Sequence, residues 1–439
     1  MEALNRRVAG LDVHKKSVTA CVRILDESGS VSQTTKTFRT MTDDLRLLRR
    51  WLSSQGVTQV ALESTGVYWK PIYNLLEFDF TLLLCNAKHV KNVPGRKTDV
   101  KDCEWLAQLL QFGLLTGSFV PNRRQREERD LTRTRRKLLQ ERSRVANRIQ
   151  AILEDANIKL ASVATDSLGV SGQAMLRAIV DGETDPAKIA DLAKRQLRGK
   201  IPELKRALDG FVNSHHRFLL GLQLDRYQEQ SRHVERIDER LLELHREDDL
   251  PLFPDEPSKP DEGSSADSQA SERSVLSWNH AVGLLITIPG VSIRGAEDVL
   301  AEIGTDMSRF RTPGHLASWA GLCPGNNESA GKRLSGKTTK GNKWLRSALV
   351  MAARGLLRTK GYLMSQYKRI AARRGKMRAQ VAVAHSILNA IWHMLARNVP
   401  YAELGENDFD QRDSEKLTKR LLHRLKRLGH DVTVAPQVA

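Results

Sequence analysis

Apolar positions along the chain change their period several times. Residues 8–13, 18–24 and 32–39 are short β-prone runs that predict an antiparallel meander. In residues 40–54, Leu45, Leu47, Leu48, Trp51 and Leu52 share one side of a helix, with Thr42 or Asp43 placed to cap it. A buried strand follows at 59–62, a helix at 68–77, an apolar strand at 81–85 and a helix at 99–111 that starts near Thr98. Three strands followed by alternating helix and strand predict a mixed sheet with helices packed on it, residues 1–120.

Beyond Pro121 the strand signal stops and helix-forming residues run on. Leu131, Leu138, Val145 and Ile152 repeat every seven residues, beside a column of Leu139, Ala146 and Leu153. A second seam runs through Val234, Ile237, Leu241 and Leu244. Two long helices with such stripes predict a coiled-coil hairpin or dimerisation arm over 121–250, with shorter helices at 171–180 and 185–194 between them. Residues 251–274 are rich in Pro, Ser and acid and have almost nothing to bury, as in a flexible linker. A mainly α region spans 275–400 with a polar, glycine-containing stretch at 321–343, and a basic tail at 401–439 carries an amphipathic helix at 414–428.

Composition narrows the function. Of 439 residues, 70 are Lys or Arg and 52 Asp or Glu, a net charge of +18. A pI near 9.9 favours a polyanionic partner, nucleic acid first. The best apolar run, 281–291, is broken by Gly and Pro and is far short of the roughly 20 residues a bilayer-spanning helix needs, so no membrane role is expected. Cys21, Cys85, Cys103 and Cys323 form no CxxC pair, which predicts a reduced, cytoplasmic protein without a disulfide framework or zinc site.

Two constellations carry candidate chemistry. Asp12 closes the first strand, Glu63 follows the 60–62 strand, and Asp99 and Asp102 share a helix face three residues apart. Singly, each also fits a turn, a surface charge or a helix cap. Jointly, four carboxylates at one sheet edge are hard oxygen ligands able to hold Mg²⁺ ions beside a phosphate. His14, two residues after Asp12, is placed to touch them, while the other histidines show no ligand spacing. The second constellation is a serine in a Gly- and Asn-rich stretch, Ser329, among Lys332, Arg333, Lys337, Lys340, Lys343 and Arg346. That setting suits a nucleophile approaching a phosphodiester, or a loop that merely grips backbone; on composition Ser335 competes with Ser329. Between 123 and 148, eleven Lys and Arg stand against four acids, and Arg123, Arg124, Arg126, Arg133, Arg136 and Lys137 join Lys332, Arg333, Lys340, Lys343 and Arg346 as candidate nucleic-acid contacts. Residues 288–304, with a Pro-Gly-Val turn before a helix, are similar to a helix-hairpin-helix whose turn amides meet phosphate.

The strings GLDVHKK, ESTGVYW and KTDVKD together resemble the RuvC-like, RNase H-fold domain of the DEDD-type insertion-sequence transposases, whose signature acids match Asp12, Glu63, Asp99 and Asp102. The 321–350 stretch resembles the same family's C-terminal serine loop, with Ser329 aligned to its serine and Ala330 where glycine is commoner. The resemblance runs from Val8 to about Arg397. It implies an α/β RNase H-like N-terminal domain, a coiled-coil arm and a mainly α C-terminal domain. It further implies a DNA transposase that uses Mg²⁺ and a phosphoserine link, a composite site in a dimer or tetramer, and an element-encoded bridge RNA that selects DNA. A junction-resolvase-type metal nuclease, with Ser329 only a phosphate ligand, and a non-catalytic nucleic-acid-binding protein are the competing expectations.

Overall fold

The structure, a computed structural model, describes residues 3–64, 66–86, 90, 102–246, 276–325, 327–329, 332–335, 337–412 and 414–432; at 327–329, 333–335 and 416 it describes backbone alone. The chain divides into two compact units, Met1–Asn122 and Arg123–Ala439. The expected linker at 251–274 and the helix start near Thr98, with Asp99, lie outside the described residues.

The first unit holds the mixed sheet that the pattern predicts. Strands β1 (Arg7–Val13), β2 (Ser17–Leu25) and β3 (Val31–Arg39) form the meander, and β4 (Gln59–Glu63) and β5 (Thr81–Cys85) add in parallel, giving the order β3-β2-β1-β4-β5. Alternation along β1 divides its side chains between two cores. Leu11 and Val13 pack with Leu48 and Leu52 of α1 (Thr42–Ser54) and Ile72 and Leu76 of α2 (Trp69–Leu76). Val8 packs with Trp105 and Leu106 of α3 (Asp102–Gln111) on the opposite face. The expected side-chain cap of α1 is not made: the helix starts at Thr42, its N-cap is Met41, and Asp43 and Asp44 instead face the positive end of the helix from its first turn. On the free edge, β3 is exposed at almost every position.

Gly10 sets the approach of α3. A Cβ there would lie 2.2 Å from the Cys103 carbonyl oxygen and 2.5 Å from the Ala107 amide nitrogen, so only glycine lets the helix backbone rest on the centre of β1.

In the second unit, α4 (Arg123–Asp155) and α5 (Ser214–His245) run antiparallel, as contacts from Arg124 to His245, Arg135 to Asp238, Arg142 to Ser231 and Asp155 to His216 show. Their common end packs on four shorter helices between 160 and 208 through Val145, Ile149, Leu153, Leu220 and Leu224. The buried stripe of α4 differs from the expected heptad column. Of Leu131, Leu138, Val145 and Ile152 only Val145 is fully buried, and the inward positions of the first half are Gln125, Glu128, Thr132 and Arg135. On α5, Val234 and Leu241 are buried as the second seam predicts.

The rest of the unit holds α6 (Trp278–Ile286), α7 (Ile293–Ile303), α8 (Pro313–Trp319), α9 (Lys343–Gly355), α10 (Tyr362–Arg374), α11 (Lys376–Arg397) and two short helices at Asp408–Arg412 and Ser414–Arg427; the polar half of α4 packs on α7 and reaches α9. The contact is electrostatic. Glu302, 1% exposed at the end of α7, receives two bonds from Arg133, at 2.7 and 2.8 Å, and a third charge from Arg129 at 3.3 Å. Arg135, 2% exposed, reaches Asp238 of α5 and Glu297 and Asp298 of α7. Burial alone would lower the Arg135 pKa, but these carboxylates outweigh it and raise it; Arg129, with burial dominant, falls to about 10. No helix among the described residues is long and apolar enough to cross a membrane.

Two substitutions test these contacts. Gly10→Ala is expected to destabilise the first unit by about 1–3 kcal/mol through overpacking against α3, read from its urea midpoint. Glu302→Ala leaves the largely buried Arg129 and the half-buried Arg133 facing each other without their carboxylate and should cost about 3 kcal/mol in the second unit; a loss below about 1 kcal/mol in urea unfolding would refute the hub role of this residue.

Candidate active site: a strand-end acid pair and a serine hairpin

Parallel pairing of β1 with β4, Leu11 opposite Leu62, places Asp12 and Glu63 side by side at the carboxyl ends of adjacent strands. Sheets of this kind bind ligands at that edge. The Asp12 side chain is 27% exposed, and Nε2 of the exposed His14 lies 3.1 Å from its Oδ2. The histidine that the sequence placed near the acids therefore touches one of them.

Helix α3 brings Asp102 to the same face of the sheet as Asp12, because Gly10, two residues before Asp12, is the point where Cys103 meets β1. Burial pushes the Cys103 thiol up to about 12, with Cys21, Glu104 and Asp12 adding negative field; burial and then Glu63 push Cys85 up to about 11. Both thiols are neutral bystanders beside the acids. The carboxylate donors suit a hard divalent cation. Among the described residues no three His, Cys, Asp or Glu side chains are grouped closely enough to hold one ion, and Asp99 lies outside those residues.

Ser329 occupies the end of a hairpin strand. Strands β6 (Asn327–Ser329) and β7 (Lys332–Ser335) pair antiparallel with Ser329 opposite Lys332, so the serine directly precedes the two-residue connection. Ser335 sits at the other end of β7, opposite Asn327, next to the hairpin base.

The base is pinned. Gly321 has φ +70°, and a Cβ on it would meet the Gly341 nitrogen at 2.6 Å; one on Gly341 would meet the Gly321 nitrogen at 2.2 Å. The Gly325 amide donates to the Lys337 carbonyl at 2.8 Å, and Pro324 bridges to Thr338. Asn342 then starts α9: its Oδ1 accepts from the Trp344 and Leu345 amides at 3.0 and 3.2 Å, while its Nδ2 donates to Glu302 at 2.6 Å. Sequence reading missed Glu302 and Asn342 as supports. A cap asparagine before a helix was a usable signal; the buried acid on a mostly apolar helix was not.

The structure sorts the basic candidates. Arg133 is held by Glu302, Arg136 by the Trp344 carbonyl and Ser347, and Arg124 by the Leu244 carbonyl and His245. These guanidinium groups are committed to protein partners, because the α4 face that carries them is the one that packs on α5, α7 and α9. Arg123 is exposed beside Glu127, Arg126 is half-buried, and Lys137 lies 6.0 Å from the Trp344 ring, which Lys343 and Arg133 also flank at 5.4 and 5.7 Å. Lys332, Lys340 and Lys343 are exposed and Arg346 is half-buried; the Arg333 side chain lies outside the description.

The Pro-Gly-Val turn of the helix-hairpin-helix expectation joins α6 to α7, with Pro289, Gly290 and Val291 half-buried. Gly290, φ +85°, turns toward α9, where a Cβ would lie 2.6 Å from the Ala352 carbonyl oxygen. The Cα side of Gly290 therefore packs on α9, while Ser292 and Ile293 just beyond the turn stay exposed.

Comparison with known proteins places this architecture. Residues 9–158 match the DEDD-type IS110 transposase family, and residues 282–369 match the IS116/IS110/IS902 transposase family, together more than half of the chain. A transposase for insertion sequence element IS1111A of Coxiella burnetii is 34% identical over 31% of this chain and 38% of its own length. The pilin gene-inverting protein of Moraxella bovis is 32% identical over 28% of this chain and 39% of its own. These alignments span about two fifths of each relative. A Sinorhizobium fredii protein assigned by name to the transposases, y4pF/y4sB, is 26% identical over 91% of this chain and 90% of its own. With the acid pair at the strand ends in the first matched segment and the pinned serine hairpin in the second, the chain belongs to the DEDD-type IS110 family of transposases.

Proposed function

We propose that the protein is a DNA transposase that cuts and rejoins DNA, with Asp12, Glu63, Asp99 and Asp102 of an RNase H-like, RuvC-like unit holding Mg²⁺ and Ser329 acting as nucleophile. The observation that carries the reading is the pairing of Asp12 with Glu63 at the ends of parallel strands, in a chain whose other unit presents a serine on a base-pinned hairpin.

Bound Mg²⁺ would supply charge neutralisation at the phosphate. His14, against Asp12, keeps that carboxylate's orientation through a hydrogen bond. Ser329 Oγ forms the new P–O bond while a deoxyribose oxygen leaves with the bonding electron pair; the serine proton is lost to water and the departing oxygen takes one up from water. The phosphoserine ester keeps the bond energy, so a DNA hydroxyl can later displace the serine and reseal the strand without ATP.

The pinned base supports this role, since a nucleophile gains from a fixed approach. Exposed Lys332, Lys340 and Lys343 would hold flanking phosphates, with Arg123, Arg126, Lys137, Arg333 and Arg346 as further contacts. The family resemblance adds two further parts to the proposal: copies of the chain assemble into a dimer or tetramer, and a bridge RNA is the expected guide.

Incubating the purified protein with Mg²⁺, candidate guide RNA and DNA carrying the element ends should yield a covalent protein–DNA adduct, resolved on a denaturing gel. Ser329→Ala is expected to abolish the adduct; an adduct that survives sinks the assignment, and free ends without an adduct favour a metal nuclease. Asp12→Asn should lower cleavage by on the order of 10²-fold or more with DNA affinity unchanged, and undiminished cleavage would remove Asp12 from the site.

A further inference from the structure

Beside the hairpin base, the second unit opens a cleft of about 1360 Å³ walled by α9, α10 and α11. Four cations line it, Lys337, Arg346, Arg374 and Arg378, and no acid does among the described residues. The volume exceeds the roughly 300–1,000 Å³ of ordinary small-molecule pockets, which suits a segment of a polymer. A one-signed lining selects a polyanion.

Phosphates alone need no apolar floor, yet Leu322, Ile370, Val381 and Ala382 supply one. A nucleobase uses such a floor only when it is out of its stack. Two polar groups on the walls fit a base edge. Gln366 has a side-chain oxygen that is buried without a hydrogen-bond partner, so turning the amide toward the cleft sacrifices no existing bond to that oxygen. His385 is half-buried and burial lowers its pKa, which keeps the ring neutral and leaves it as a flat hydrogen-bonding surface.

We propose that this cleft receives an unpaired deoxynucleotide of the bound DNA, its phosphates on Arg346, Arg374 and Arg378 and its base on the Ile370, Val381 and Ala382 floor. The inference rests on the DNA reading above and deepens it. The cleft adjoins the hairpin base through Pro324 and Thr338, so a nucleotide held there fixes the strand beside the serine hairpin.

Fluorescence anisotropy of the full-length protein tests it with three labelled probes: a single-stranded oligodeoxynucleotide, the same strand with abasic sites, and the matching RNA strand. The base-containing DNA should bind about tenfold tighter than the abasic strand of equal charge. Ala382→Trp fills the floor and keeps every cation, so it should erase that difference while abasic binding holds. Met377→Glu, at an exposed position on the cleft wall, should weaken both DNA strands and disturbs no core, which keeps the proposal testable if the Trp variant fails to fold.

Equal binding of both DNA strands by the unaltered protein, a tenfold difference that persists in folded Ala382→Trp, or undisturbed affinities in Met377→Glu would each overturn the cleft. RNA held more tightly than DNA would overturn its assignment to DNA. A Ser329 adduct formed without base dependence defeats the cleft alone, whereas base dependence without any adduct supports the cleft and defeats the nucleophile.

Discussion

A buried carboxylate organises the second unit. Stripping a carboxylate of water costs several kcal/mol, so Glu302 persists at 1% exposure only because Arg129, Arg133 and Asn342 converge on it. Those partners come from α4 and from the residue that starts α9, so a single acid fixes the first half of α4 against α7 and both against the hairpin base. Hydrophobic contact is interchangeable among apolar faces of similar shape, whereas a two-bond Arg133 to Glu302 pair has one geometry. The hairpin inherits that definition through Asn342.

The same logic reassigns part of the positive charge of α4. Arg129, Arg133, Arg135 and Arg136 look from composition like a surface for polyanions, yet they build the interior of the second unit. Arg135 alone is met by three carboxylates from two helices. Other cations stay outward, among them the exposed lysines of the hairpin and α9 and the arginines of α10 and α11. An arginine cluster between helices reads differently in sequence and in space because its compensating acids lie more than a hundred residues away.

Period-2 and period-3.6 patterns made the first unit legible: strands, helices and their order follow from where apolar residues fall, and the position of Asp12 after an apolar run placed it at a strand end. The adjacency of Asp12 and Glu63 needed the β1–β4 pairing, which sequence suggests only by alternation of helix and strand. On α4 the pattern misled, since a seven-residue leucine column is the signature of an apolar seam. The true inward face there begins with Gln125, Glu128, Thr132 and Arg135, whose burial only distant partners explain. At the Pro-Gly turn, 289–290, the close approach to α9 was not legible for a related reason: a glycine that admits a phosphate and one that admits a helix backbone are the same letter.

The free edge of the sheet carries one more implication. Among the described residues the outer edge of β3 has no strand partner; it is exposed from Val31 through Thr37 except for half-buried Thr35, and its threonine-rich sequence favours strand pairing. Its charges, Lys36 and Arg39, work against the association that this edge invites, because a second copy approaching in register would bring like charges together. Positive charge in this chain thus has a use apart from any ligand: at an open sheet edge, two cations set a repulsion against edge-to-edge pairing of copies.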